Sequence, residues 1–244
     1  MISFPNTAMV LSAGLGLRMR PLTETCPKPL IKVADKELLA HNLDLLAKAS
    51  VHNVVVNIHH LGKQIRTFLE HTDYRHVKIS DETDRLLDSG GGIKKALPLL
   101  GLAPFFVLNA DSFFIDGPQS NLQRLAEVFQ PDDMDILLLV AGGLQITGYE
   151  GLGDFTMDAE GLLSRRPERV VAPFVYTGVA LIKPDLFAET PDEPFSLNLL
   201  FDRAIVNRRL FGLRLDGEWL HVGTPDAISA AETRLAYGVT TTGL

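Results

Sequence analysis

The sequence predicts a three-layer α/β/α domain built on a mostly parallel sheet. Three observations carry this. Short apolar runs, the pattern of buried strands, alternate with apolar residues at three- and four-residue spacing, the pattern of amphipathic helices. The alternation persists through more than half of the chain, which implies right-handed βαβ units with helices on both faces of one sheet. The 244 residues, 46% hydrophobic and 22% charged, suffice for a large core without disulfide or metal staples.

Ala8 to Ser12 is an apolar run ended by a glycine-rich loop, as a buried strand would be. Leu38, Leu39, Leu43, Leu45 and Leu46 form a helical stripe, and Asn53 to Ile58 is a β-branched strand. Leu61, Ile65, Phe68 and Leu69 mark the next helix, and His76 to Ser80 alternates like a short strand. Ile93, Ala96, Leu97 and Leu100 give a helix before the buried strand Phe105 to Leu108. Leu122, Leu125, Ala126 and Phe129 precede the strand Ile136 to Val140 in the same way. After Ala141 the regularity loosens, because Gly142, Gly143, Gly148, Gly151 and Gly153 crowd a loop-rich stretch. Pro173 to Ile182 reads as a long strand, Leu197 to Ile205 as a helix and Glu218 to Val222 as a last strand. Thr224 and Pro225 then suit the N-cap and first position of a closing helix through Ile228, Ala231 and Leu235. No repeat, low-complexity run or linker interrupts residues 1–244, so a single domain is expected. Its site should lie in the loops at the carboxyl ends of the parallel strands.

The formal net charge of −7 argues against general nucleic-acid binding. It also repels any anionic substrate unless cations are gathered in one place. They are: Arg18, Arg20, Lys28 and Lys32 lie between Gly14 and Lys32 against one acid, Glu24. The lone Cys26 excludes an intrachain disulfide. The opening Met1-Ile2-Ser3-Phe4-Pro5-Asn6 lacks the charged and apolar regions of a signal peptide, so a cytoplasmic location is expected. The most apolar stretch, Ile136 to Leu144, is too short to span a bilayer, so no membrane partner is expected either.

The basic cluster sits on a glycine loop, Leu11-Ser12-Ala13-Gly14-Leu15-Gly16-Leu17-Arg18-Met19-Arg20-Pro21-Leu22-Thr23. Gly14 and Gly16 let the backbone approach an anion, and successive N–H groups can cradle phosphate oxygens. Arg18 adds an always-ionised fork suited to phosphate. A dinucleotide fingerprint would need a third glycine where Met19 stands, and a P-loop would need a Gly-Lys-Ser/Thr ending that is absent. In Cys26-Pro27-Lys28-Pro29-Leu30, two prolines stiffen the backbone around one lysine and aim its charge.

Gly-x-Gly-x-Arg-Met-x-Pro-Leu-Thr followed by Pro-Lys-Pro-Leu resembles the signature of the sugar-1-phosphate nucleotidyltransferases. Asp88-Ser89-Gly90-Gly91-Gly92-Ile93 resembles the family's base-binding segment, and Asn109-Ala110-Asp111 its metal-binding Asn-x-Asp. Gly153-Asp154-Phe155, Tyr176-Thr177-Gly178 and Trp219-Leu220-His221-Val222-Gly223-Thr224 resemble later family segments. The resemblance implies a Rossmann-like nucleotidyltransferase fold with a mixed sheet. Its implied partners are a nucleoside triphosphate and a sugar 1-phosphate. The implied nucleotide contacts are Ser12, Ala13, Gly14, Gly16, Arg18, Gly90, Gly91 and Asn109, and the implied sugar contacts are Gly153, Asp154, Thr177 and Gly178. The Gly-Gly-Gly-Ile segment and the Gly-Asp-Phe loop resemble the uridylyltransferase branch, which takes UTP. The guanylyltransferase branch shares the first loop.

Such a reaction joins two anions, and its nucleophile is already ionised at neutral pH. Catalysis is then positioning plus charge neutralisation rather than a nucleophilic triad. By resemblance, Arg18 holds the leaving pyrophosphate, Lys28 stabilises the α-phosphate, and Asp111 binds Mg²⁺, with Mn²⁺ an alternative. The family's second metal ligand is an aspartate, whereas this chain has His221 there. Imidazole is softer and uncharged, so His221 is read either as a metal ligand or as a structural histidine. A non-catalytic nucleotide or sugar-phosphate sensor is the reading that this replacement keeps open. Retention of Arg18, Lys28 and Asp111 counts against it. The neighbours His59 and His60 lie at the end of a strand, where adjacent side chains face opposite ways and do not share an ion.

Overall fold

The computed structural model describes residues 4–241. In chain order the elements are β1 (Thr7–Leu11), β2 (Lys32–Val33), β3 (Lys36–Glu37), α1 (Leu38–Lys48), β4 (Asn53–Ile58), α2 (Gly62–Glu70), β5 (Lys78–Asp81) and α3 (Asp88–Leu100). They continue with β6 (Phe105–Asn109), β7 (Ser112–Asp116), α4 (Asn121–Val128), β8 (Ile136–Ala141), β9 (Ile146–Thr147), β10 (Phe155–Met157) and β11 (Leu163–Arg165). The last are β12 (Val175–Ile182), α5 (Asn198–Val206), β13 (Leu210–Arg214), β14 (Gly217–His221) and α6 (Pro225–Thr241). Residues 1–3 of the opening stretch lie outside the described range.

Seven strands form the main sheet in the order β13-β8-β12-β6-β1-β4-β5. All its pairings are parallel except those of β12, which runs antiparallel to both β6 and β8. The strands that read as unbroken apolar runs are those covered on both faces, and successive residues alternate between two cores. In β1, Ala8 and Val10 enter one core and Met9 the other. In β8, Leu137 and Leu139 enter the first, and Ile136, Leu138 and Val140 the second. Residues of α1, α2, α4 and α6 cover the first face, and those of α3 and α5 the second. The three-layer α/β/α expectation with a mostly parallel mixed sheet is thus met, and the fold is Rossmann-like.

Two regions differ from the sequence reading. The strand expected over His76 to Ser80 is β5, which starts at Lys78 because Asp73–His76 form a turn closed by Val77 N–H to Tyr74 O. The stretch after Ala141 is not plain loop. It carries the β10–β11 hairpin and β9, which joins β7 and β14 in a second sheet. Neither β7 nor the edge strand β13 was expected, and β7 positions the site.

Candidate active site

The first loop leaves β1 at its carboxyl end. Gly16 takes a left-handed conformation, φ +62°, and a Cβ there would lie 2.8 Å from Thr23 Cγ2. Thr23 donates its hydroxyl to Gly16 O, and Met19 N–H bonds the same carbonyl. Met19 is fully buried and plugs the loop into the core. The bulky residue that rules out a dinucleotide fingerprint is therefore the loop's anchor. A Cβ on Gly14, by contrast, would meet no protein atom within 4 Å. Its bareness keeps open space next to the loop rather than serving packing. Arg18 is exposed at the loop's end.

The parallel pairing of β1 with β6 sets Leu11 beside Asn109, and Ala110 N–H bonds Leu11 O. Asp111 therefore follows directly alongside the glycine loop. Lys28, buried on a short 3₁₀ turn between its two prolines, reaches across to Asp111, with Nζ 2.8 Å from Oδ2. On the other side, β7 pairs antiparallel with β14 and sets His221 opposite Ser112, while Val222 N–H bonds Asp111 O. Arg18 and Lys28, Asp111, and His221 thus converge from three distant stretches of the chain.

Their charges interact. Burial pushes the Asp111 carboxyl up, but Lys28, His221 and Arg18 outweigh it and hold Asp111 below the usual carboxylate range. Burial pushes the His221 imidazole down, Asp111 opposes this, and Lys28 and Arg18 add to it, leaving the histidine below its ordinary value. Near neutral pH the pair is a carboxylate beside a neutral imidazole. The ring of His221 stacks on Trp219, centroids 5.3 Å apart, and its Nδ1 is buried without a hydrogen-bond partner. Among the described residues no three His, Cys, Asp or Glu side chains cluster as a metal site. An ion here would have Asp111 and His221 as side-chain ligands and would need oxygens from elsewhere.

Two cavities meet at these residues. One, of about 730 Å³, is lined by Ser12, Ala13, Gly14, Gly16, Arg18, Lys28, Asn57, Asp88, Ser89, Asn109 and Asp111. The other, of about 1030 Å³, is lined by Tyr149, Asp154, Tyr176, Thr177, Gly178, Trp219, His221 and Gly223. Arg18, Asn109 and Asp111 line both. Two compartments with shared cationic and anionic groups at the junction can hold two reactants against one another.

The remaining expected contacts are distributed unevenly. Gly90 and Gly91 are buried at the start of α3, and both N–H groups bond Phe195 O, so neither donor is free. Asp88 and Ser89 line the cavity at that end instead. A Cβ on Gly90 would lie 2.3 Å from the Phe195 ring, so the glycine serves close packing. Thr177 lines the second cavity, but its hydroxyl is spent on Leu139 O. Asp154 lines it too and accepts Tyr176 N–H, while Gly153 O accepts from Arg166. Gly178, φ +86°, packs its bare α-carbon on the Asn109 side chain. Arg165 is tied to Asp202 and Asn198. Cys26 is a half-buried thiol raised by burial and by Glu37, no arrangement for a nucleophile.

Sequence reasoning missed Asn57, Tyr149, Tyr176 and Trp219 as cavity residues. Asn57 carried a signal, since it is a polar residue among the valines at the carboxyl end of a parallel strand. Tyr176 and Trp219 lie in segments matched to the family, but no local spacing brings the aromatic residues together: Tyr176 is on β12 of the main sheet, Trp219 on β14 of the second sheet and Tyr149 in the loop after β9.

The family profile described as Nucleotidyl transferase matches residues 7–237. The N-acetylmuramate alpha-1-phosphate uridylyltransferase of Caulobacter vibrioides is 42% identical over 236 residues, covering 95% of this chain and 98% of that protein. The enzyme of the same name from Neisseria meningitidis serogroup B is 32% identical over 229 residues, covering 92% and 96%. The solved structure of UDP-glucose pyrophosphorylase complexed with UDP-glucose superposes with a TM-score of 0.76 at 16% identity, covering 96% of this chain and 99% of that one. At that identity it bears on the fold alone.

Proposed function

This chain belongs to the nucleotidyl transferase family, and we propose that it transfers the uridylyl group of UTP to N-acetylmuramate 1-phosphate, forming a UDP-sugar and pyrophosphate. The observation that carries the reading is the meeting of two cavities at Arg18, Asn109 and Asp111. The nucleotide takes the compartment of the glycine loop and the sugar phosphate takes the one bounded by Tyr176 and Trp219. The α-phosphorus then lies at the junction, where a sugar-phosphate oxygen forms the new P–O bond. The bond to the β-phosphate oxygen breaks, and pyrophosphate leaves with its electron pair. No proton has to move, so no general base is required.

The residues supply placement and charge. Backbone N–H groups from Ala13 to Gly16 cradle the phosphates, whereas the Ser12 N–H and hydroxyl, expected as nucleotide contacts, are both spent on Asn57. Arg18, exposed at the end of the loop, neutralises the leaving pyrophosphate. Lys28, held by Asp111 at the cavity junction, turns its ammonium to the α-phosphate. Asp111 and His221 fit a divalent cation: one is a carboxylate held ionised, the other a neutral imidazole with a buried, unpartnered nitrogen. Mg²⁺ or Mn²⁺ bound there would draw charge from the phosphate oxygens.

The product is an activated cell-wall sugar, which suits a salvage step in the cytoplasm, where nucleoside triphosphates are available. Among the described residues no helix is long and apolar enough to cross a membrane. The test is pyrophosphate release from UTP, GTP, CTP and ATP, each paired with several sugar 1-phosphates. The highest kcat/KM is expected for UTP with N-acetylmuramate 1-phosphate. A preference for GTP with mannose 1-phosphate would replace this reading with guanylyl transfer. Nucleotide binding without pyrophosphate release from any pair would replace it with a sensor.

A further inference from the structure

Behind the nucleotide cavity lies a buried acid that the chemistry does not use. Glu82 follows β5 and is fully buried. Its Oε1 accepts from Asn57 Nδ2 at 2.7 Å, and its Oε2 accepts from Leu87 N–H at 3.1 Å. Asn57 Oδ1 in turn accepts Ser12 N–H at 2.7 Å, and the Ser12 hydroxyl donates to Asn57 O. The chain Ser12–Asn57–Glu82–Leu87 therefore runs from the first residue of the glycine loop to the segment Leu86–Ser89 on the opposite side of the cavity. Every polar atom in it has one assigned role. The asparagine must donate to Glu82 and accept from Ser12, and both carboxylate oxygens are acceptors.

The surroundings allow no substitute. A Cβ on Gly92 would lie 2.6 Å from Glu82 Oε1 and 2.9 Å from Asn57 Nδ2, so the pair occupies the space a side chain would need. The adjacent histidines reinforce the same two walls. His59 bonds Glu82 O through Nδ1, and His60 bonds Thr23 O through Nε2. Thr23 holds Gly16 O. Both walls are thus tied to the end of β4.

We propose that Glu82 and Asn57 are positioning residues that fix the separation of the two walls of the nucleotide cavity, and so set nucleotide affinity without touching the nucleotide. The inference rests on the reading that this cavity takes the nucleoside triphosphate. A fully buried carboxylate is a costly stabiliser when apolar packing could serve. Its use here is orientation, since a network with every partner assigned has one geometry.

The test uses the purified full chain, with UTP binding measured by calorimetry and steady-state KM values for both substrates. Glu82→Gln keeps the shape but sets an amide N–H₂ against one of the two N–H donors. Gly92→Ala pushes on the same pair from the helix. Each should weaken UTP binding by about tenfold or more, the scale of one lost buried hydrogen bond, with the sugar 1-phosphate KM within about twofold. Because both act through one bridge, the double variant should bind UTP no more than about twofold worse than the weaker single variant. An unchanged UTP Kd in a folded Glu82→Gln protein, equal loss for both substrates, or additive losses would overturn the inference. If Glu82→Gln does not fold, Gly92→Ala decides alone by the same split between substrates. Failure of the unmodified protein to bind UTP would overturn the proposed function together with this inference, whereas unmodified binding with unchanged variants overturns the inference only.

Discussion

Arg18 and His221 approach each other across the bare α-carbon of Gly223. A Cβ at that position would lie 2.5 Å from His221 Nε2 and 3.4 Å from Arg18 Nη1. The imidazole cannot simply swing away, because it is stacked on Trp219. Gly223→Ala should therefore displace the His221 ring, while the guanidinium stays at ordinary contact distance. Turnover is expected to fall about tenfold or more, the loss typical of a misplaced catalytic group. Steady-state kinetics beside a melting curve check this, and full activity in the folded variant would mean that His221 does not need its present place.

Arg18→Ala should lower turnover by about two orders of magnitude or more, as expected for about 3 kcal/mol of lost transition-state stabilisation. The melting temperature should barely change, because the side chain is exposed and packs in neither core. Near-normal kcat would remove Arg18 from the reaction.

Asp111→Asn removes the charge that pairs with the buried Lys28. The Mg²⁺ concentration for half-maximal rate should rise sharply, and activity in the unmodified enzyme should vanish with chelator. Breaking a buried ion pair from one side costs about 3–5 kcal/mol when the pair is fully enclosed. Asp111 is only half-buried, so the stability loss should be well below that range. Full turnover in chelator would show that no metal is used.

The depressed His221 pKa gives a signed pH dependence. Neutral imidazole is the form favoured in the fold, so its contribution to stability is complete above the unfolded histidine value of about 6.5. That contribution is lost as pH falls through the lower folded value. Metal affinity should follow the same course, holding through neutral pH and failing only below the ordinary histidine range. Mn²⁺ should outperform Mg²⁺ by more than in a carboxylate enzyme, and His221→Asp should restore Mg²⁺ and flatten the acid limb. If His221→Ala lowers thermal stability and leaves metal affinity intact, the histidine is structural.

Met19→Ala should cost about 2–5 kcal/mol, the range for truncating a buried methionine. Because Met19 is fully buried and pins the glycine loop, UTP KM should rise as well. Denaturant unfolding and kinetics separate the two effects. A stable variant with unchanged KM would show that Thr23 alone holds the loop.

The elements with a strong period were legible without a structure. β1, β4, β6 and β8 are buried on both faces, and α1, α2 and α4 are amphipathic, so burial itself writes their pattern into the residue order. The glycine loop, Arg18, Lys28 and Asp111 were legible for a related reason. Each sits within a few residues of a glycine, a proline or a strand end that constrains its backbone locally. The partnership of Asp111 with His221 was expected only from the family resemblance and was not legible in any local pattern, since it depends on β7 pairing with β14 in one register. A shift by one residue would turn His221 to the other face. Nor was the route from Ser12 through Asn57 to Glu82, because a hydrogen bond between distant residues leaves no period and no spacing. By itself the sequence determined the layers of this protein, the glycine loop proposed to meet phosphate and the charges expected around it. Only the tertiary structure decided which side chains face one another across the two cavities, because strand register and side-chain direction depend on contacts that no local stretch of chain contains.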